Sequence, residues 1–124
     1  MAAPNLVNVT SIYGKTMGAA LGTSADTDVL TNASSSGKVL KINSIIVSNV
    51  DGTNSADGTV NFYDGSATAR YAICNTVAVP ADSTLIVIGK DSPIYLEEGD
   101  QIEAGASVSG RLQIIISYEE LDDA

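Results

Sequence analysis

Nearly every apolar stretch of this chain is short, rich in Val and Ile, and soon closed by Gly, Asn, Asp or Ser. β-Branched side chains suit the pleated surface of a sheet better than the crowded face of a helix, so this punctuation predicts strands joined by turns and almost no helix. Asn5 to Tyr13 places apolar residues on both faces of an extended segment, Gly14 permits a turn, and Lys15 to Thr23 is weaker strand material rich in Gly and Ala. Val29 and Leu30 form one more apolar pair before the loop-like tract Asn32 to Gly37.

Lys38 to Val50 is the longest candidate strand. Its alternation changes face around Asn43 to Ile45, which predicts a bulge or a change of sheet. Asp51 to Gly58 carries two Asp-Gly pairs and reads as the long tip of a hairpin to a strand at Thr59 to Tyr63. Further strands follow at Ala69 to Val79, Thr84 to Ile88, Ile94 to Leu96, Gln101 to Gly105 and Arg111 to Glu119, separated by turns at Asp64 to Ser66, Pro80 to Asp82, Gly89 to Pro93 and Glu97 to Asp100. About eight strands at this spacing predict an all-β fold, a single antiparallel β-sandwich of jelly-roll or Ig-like type. Residues 1–124 are read as one domain, with 1–13 as an extended N-terminal arm or strand and 119–124 as an acidic tail.

Composition removes whole classes of chemistry. The 124 residues include no His and no Trp, one Cys and six aromatic side chains. An imidazole base, a Ser/His/Asp triad and a His-containing zinc site are therefore excluded. One Cys excludes an internal disulfide and a multi-thiolate metal cage. The net charge of −9 opposes phosphate backbones and anionic lipid, so neither nucleic acid nor membrane is an expected partner. Runs such as Leu85 to Ile88 and Ile114 to Ile116 are far shorter than a membrane-spanning helix requires. The opening residues lack a basic and then apolar leader pattern, so synthesis in a cytoplasm is expected. Lys15, Lys38 and Lys41 stand in the first part of the chain, and Glu119, Glu120, Asp122 and Asp123 at its end. This asymmetry suggests a solvated tail, or surfaces of opposite sign that orient neighbouring copies.

Three clusters merit a chemical reading. Asp51, Asn54 and Asp57 bring oxygen ligands close in sequence, but Ala56 and Phe62 stand where an EF-hand loop requires Gly and Glu. Asx-rich hairpin tips have the same composition, so these three are a weak metal candidate. Glu97, Glu98, Asp100 and Glu103 crowd four carboxylates together, and a turn with its acids facing water is expected there rather than a glycosidase pair. Cys74 sits among small and apolar neighbours with no adjacent cation, as an inert thiol would. No catalytic residues and no cofactor are assigned.

The run from Val79-Pro-Ala-Asp-Ser-Thr-Leu-Ile-Val-Ile-Gly through Tyr95-Leu-Glu-Glu-Gly-Asp-Gln-Ile-Glu-Ala and the ending Ile-Ile-Ser-Tyr-Glu-Glu resemble small virion structural proteins of tailed bacteriophages, marine cyanophages in particular. Asn5-Leu-Val-Asn-Val-Thr and Val47-Ser-Asn-Val-Asp-Gly-Thr-Asn extend the resemblance over most of the chain. The Leu-Glu-Glu-Gly-Asp-x-Ile element also occurs, in looser form, in tumour-necrosis-factor-like sandwiches. The resemblance implies a non-enzymatic capsid decoration protein, made in the host cytoplasm and located in the virion, that binds the major capsid or tail proteins and bridges neighbouring subunits. A neck, tail or fibre component that binds a receptor or a carbohydrate is the alternative. Lattice symmetry favours a homo-oligomer, a trimer first. Leu6, Val7, Val9, Ile12 and Tyr13, apolar on both faces of their segment, are the expected interface.

Overall fold

The computed structural model describes residues 10–122 and builds nine strands. These are β1 (Ser11–Ala20), β2 (Asp28–Thr31), β3 (Lys38–Asn49), β4 (Ala56–Asp64), β5 (Ala69–Val79), β6 (Thr84–Ile88), β7 (Ile94–Leu96), β8 (Gln101–Ala106) and β9 (Leu112–Asp122). They form two antiparallel sheets. The first runs β1-β9-β3-β6 with β7 also paired to β3, and the second runs β2-β8-β4-β5. Both β6 and β7 lie along one edge of β3, against Ile45 to Ser48 and Leu40 to Ile42 respectively. Counted as one interrupted strand, they complete the eight-stranded order of a jelly roll.

The core lies between the sheets. Ile42, Ile45 and Val47 of β3 and Leu112, Ile114 and Ile116 of β9 are fully buried and face Val60 of β4 and Ile102 of β8. Fully burying each such side chain contributes about 1.5–3 kcal/mol before the entropy of ordering the chain is set against it. The expected irregularity in β3 is a bulge: its register with β9 shifts between Ile42 and Ser44. A second shift, between Ile45 and Ile46, occurs against β6. The extra residue, Asn43, allows both Ile42 and Ile45 to point inward although they lie an odd number of positions apart.

Three local expectations change. Gly14 makes no turn but continues β1, opposite Glu119, because β9 offers it an unbroken partner from Asp122 to Gln113. β3 and β4 are not a hairpin but belong to different sheets. Both edges of β3 are already taken, by β9 on one side and β6 and β7 on the other, so the loop after Asn49 must cross the sandwich. The acidic end is not a solvated tail: Glu119 to Asp122 are the last rungs of β9. There Glu120 pairs with Lys15 at 3.3 Å and Lys38 at 3.4 Å, and Glu119 with Lys41 at 3.9 Å. The charges that sequence separates are thus joined within one sheet, and these lysines do not form a surface of opposite sign for a neighbouring copy.

The loop from β1 to β2 packs directly on β8. A side-chain carbon added at Gly105 would lie 2.6 Å from the Ser24 backbone, whereas one at Gly22 would meet nothing within 4 Å. Gly105→Ala is therefore expected to destabilise the fold by about 1–3 kcal/mol through overpacking, and Gly22→Ala to stay within about 0.5 kcal/mol of the parent. Urea unfolding of the two variants checks the contrast.

Candidate functional site: a neutral sheet face and a hydroxyl-lined hollow

The outer face of the first sheet carries a row of isoleucines. Ile114 and Ile116 point into the core, so Ile115 between them points outward. Its register partners are Gly18 on β1 and Ile46 on β3, and Ile46 in turn is opposite Ile86 on β6. Partners in an antiparallel ladder share a face, so these four residues form one rung across the sheet. Ile86 is 67% exposed and Ile115 44%. The rung on one side is Ala20, Gln113, Ser48 and Thr84, and on the other Thr16, Ser117 and Ser44. No residue of these three rungs is charged, on a chain whose net charge is −9. Apolar side chains framed by small hydroxyls, with charge kept away, are the make-up of a protein contact surface.

Of the expected interface, Ile12 and Tyr13 are exposed at the start of β1. Leu6, Val7 and Val9 lie outside the described residues.

A hollow of about 410 Å³ opens at one end of the sandwich, lined by Ser34, Ser35, Tyr63, Gly65, Ser66, Glu98 and Gly99. Buried polar groups fix its walls. Asn32 donates from its side chain to the carbonyls of Lys38 and Leu96, both at 2.9 Å, and accepts from the Ser36 hydroxyl. Asp100 accepts the amide of Gly65 at 3.1 Å and that of Glu97 at 3.0 Å. Glu98 accepts the Gly37 amide at 2.6 Å. Gly65 approaches the Gly99 carbonyl so closely that any side chain there would collide with it, which locks the β4–β5 and β7–β8 turns together.

The carboxylates expected to face water divide accordingly. Asp100 and Glu103 are buried, Asp100 because it accepts amides of two turns and Glu103 because Arg70 pairs with it from β5. Glu103 takes a two-pronged contact from Arg70, 2.8 Å to Nε and 3.3 Å to the second guanidinium nitrogen. Arg70 also lies 3.3 Å from Asp26 and over the Tyr63 ring, 5.4 Å from its centre. On the neighbouring strand Asp28 is opposite Glu103. Partial burial, and then the charge of Glu103, push the Asp28 carboxyl above its ordinary value, while Arg70 opposes the shift.

Of Asp51, Asn54 and Asp57, the structure brings the first two together, with the Asn54 side-chain amide 3.5 Å from Asp51, and leaves Asp57 apart on β4. One Asp51 oxygen accepts the Thr53 and Asn54 amides at 2.8 and 3.0 Å, and the other meets Arg111 at 3.1 Å. The amide bonds to Thr53 and then Asn54 hold its carboxyl below the ordinary range. Asp57 belongs to β4, where its amide donates to Ser107. Among the described residues, no group of three or more His, Cys, Asp or Glu side chains is placed to hold a metal ion. Burial raises the Cys74 thiol above its ordinary value, which suppresses the thiolate. Among the described residues no helix is long and apolar enough to cross a membrane.

No protein-family model matches the chain, and no curated protein matches it in sequence. Sequence reasoning missed the isoleucine row, although its signal was present. Ile114 to Ile116 and Leu85 to Ile88 are unbroken apolar runs, so in a strand one of every two residues must leave the core. The hollow gave no such signal, since its lining comes from three separated turns.

Two outcomes follow. Asn32→Ala strands two carbonyls inside the fold and is expected to cost about 1–3 kcal/mol, read by chemical unfolding. A raised carboxyl pKa means that folding favours the protonated acid, so this contribution is full at low pH and lost as pH rises through the folded-state value. Asp28→Asn should therefore stabilise the protein at pH 7, by less than about 1 kcal/mol at so exposed a site, with the gain vanishing on acidification. Thermal unfolding at pH 7 and at pH 4 reads the difference.

Proposed function

We propose that this chain is a non-enzymatic structural protein of a tailed-phage particle, a decoration module that binds the shell and bridges its subunits. The observation that carries this reading is the band of three uncharged rungs on the outer face of the first sheet, with Ile115 exposed on β9 and Ile86 on the edge strand β6. A row of isoleucines framed by small uncharged side chains suits contact with a protein surface, and a protein that binds only the assembled shell stabilises that shell by mass action. The sequence resemblance to virion proteins points the same way. A fold of this type hosts many functions, so the surface supports the reading and the fold alone does not.

A second reading rests on the hollow. Tyr63, three serines and Glu98 present an aromatic edge, hydroxyls and an acceptor, the groups with which proteins hold a sugar. In that case the domain is a receptor- or carbohydrate-binding part of a neck, tail or fibre.

Quantitative mass spectrometry of purified particles of the encoding phage, followed by rebinding to particles stripped of the protein, separates the readings. Decoration predicts a copy number comparable to that of the shell protein. It also predicts that Ile86→Lys with Ile115→Lys keeps the fold and loses rebinding by at least about tenfold. A copy number of tens, with rebinding untouched by the double variant, supports the receptor reading instead. Absence from the particle overturns both.

A further inference from the structure

Sheet edges invite pairing with other chains, and proteins blunt them with bulges, interruptions, short strands, charge or Pro. Among the described strands four edges exist. β2 has only four residues and a register shift, and β5 pairs with β4 through two shifts. The β6–β7 edge is broken by the turn at Gly89 to Pro93. Along Ser11–Ala20, β1 lacks these guards: its ten residues pair with β9 without a shift, contain no Pro, and carry one charge, Lys15, which Glu120 already engages; the one irregularity lies ahead of the strand, where Thr10 also bonds to the Asp122 carbonyl.

The geometry of that edge selects a partner. The Leu21 amide donates to the Leu112 carbonyl, so within Ser11–Ala20 the odd-numbered residues bond to β9 by alternation; just ahead of the strand the Thr10 amide also reaches the carbonyl of Asp122, the register partner of Ser11. The amides and carbonyls of Ile12, Gly14, Thr16, Gly18 and Ala20 therefore point away from the sheet. When a strand pairs with its own copy about a two-fold axis normal to the sheet, residues of like face must meet. Centred on Thr16, such a ladder sets Ile12 against Ala20, Tyr13 against Ala19, Gly14 against Gly18 and Lys15 against Met17. Ile12 and Tyr13 each meet an alanine, Lys15 meets the uncharged Met17, and no charge meets its like. Centring on Lys15 opposes two ammonium groups, and centring on Met17 shortens the ladder by excluding Ile12 and Tyr13.

We propose that two copies of this chain pair antiparallel through the edge of β1 that no other described strand covers, centred on Thr16, into one continuous sheet. The contact requires no shell and stands independently of the virion reading. It also joins the two neutral outer faces into a single surface, with the Ile115 side chains on either side of the axis. A two-fold contact of this kind gives a dimer, not the trimer that lattice symmetry suggests.

Sedimentation velocity of the full chain across a concentration series should show a species of twice the 12.7 kDa chain mass. Thr16→Pro removes an outward amide at a position where edge strands tolerate Pro, and should give a monomer with unchanged far-ultraviolet circular dichroism. Thr16→Lys, which keeps that amide and sets two cations face to face, should weaken the dimer in a manner relieved by salt. Register is read by cysteines in a Cys74→Ala background. Residues opposite one another in such a pair have Cα atoms about 5.5 Å apart, within disulfide reach, so Thr16→Cys should cross-link at least about tenfold faster than Lys15→Cys or Met17→Cys. A chain that stays monomeric at its highest soluble concentration, a trimeric mass, a dimer that persists in both Thr16→Pro and Thr16→Lys, or equal cross-linking at all three positions overturns the proposal.

Discussion

A sandwich must carry its chain from one sheet to the other without leaving backbone groups bare in the interior, and here two buried asparagines meet that requirement at the ends of β3. Asn32, ahead of the strand, spans the carbonyls of Lys38 and Leu96. Asn49, its last residue, donates to the carbonyls of Asn54 and Val79 at 3.0 and 2.9 Å and accepts the Asp51 amide. Each side chain thus joins segments that no ladder connects. The crossing loop, the hollow and the placement of β4 in the second sheet all depend on these clamps, because an isolated buried carbonyl would cost more than a typical hydrogen bond returns.

How much of this was legible depended on whether the signal was local. Alternation along one segment located the strands from Ala69–Val79 to Ile94–Leu96 and the bulge of β3, since side-chain direction is a property of the strand itself. Pairing is not local. Nothing near Gly14 announced that β9 would hold β1 straight through it, and nothing near Asp51 announced that β3 had no free edge left. The acidic end misled for the same reason: Glu119 and Glu120 acquire their lysines only when β9 lies between β1 and β3. Burial of Glu103 required Arg70 from a strand two places away in the sheet, and Asp100 required the amide of a distant glycine.

The distribution of polar groups differs between the two sheets. The second sheet bears the Arg70, Glu103, Asp28 and Asp26 cluster on its outward side, and the turns at one end surround a hollow lined with hydroxyls. The first sheet confines its ion pairs to the far end, where Lys15, Lys38 and Lys41 meet Glu119 and Glu120, and leaves the rest of its outer face neutral. One sheet thus carries fixed charge on its outward side, and the other a band of isoleucine and small hydroxyl side chains.

A charge-free face on a strongly acidic body has a kinetic consequence. Two such molecules repel at every separation and most strongly in contact, so added salt would both hasten their encounter and firm the contact they make. In dilute buffer, where screening reaches over tens of ångströms, encounter is slow; near 0.15 M salt the reach falls to about 8 Å and the barrier largely disappears. For any pairing of two copies the acidic residues would thereby act as a brake, slowing contact and loosening it under weakly screened conditions and releasing both as salt rises.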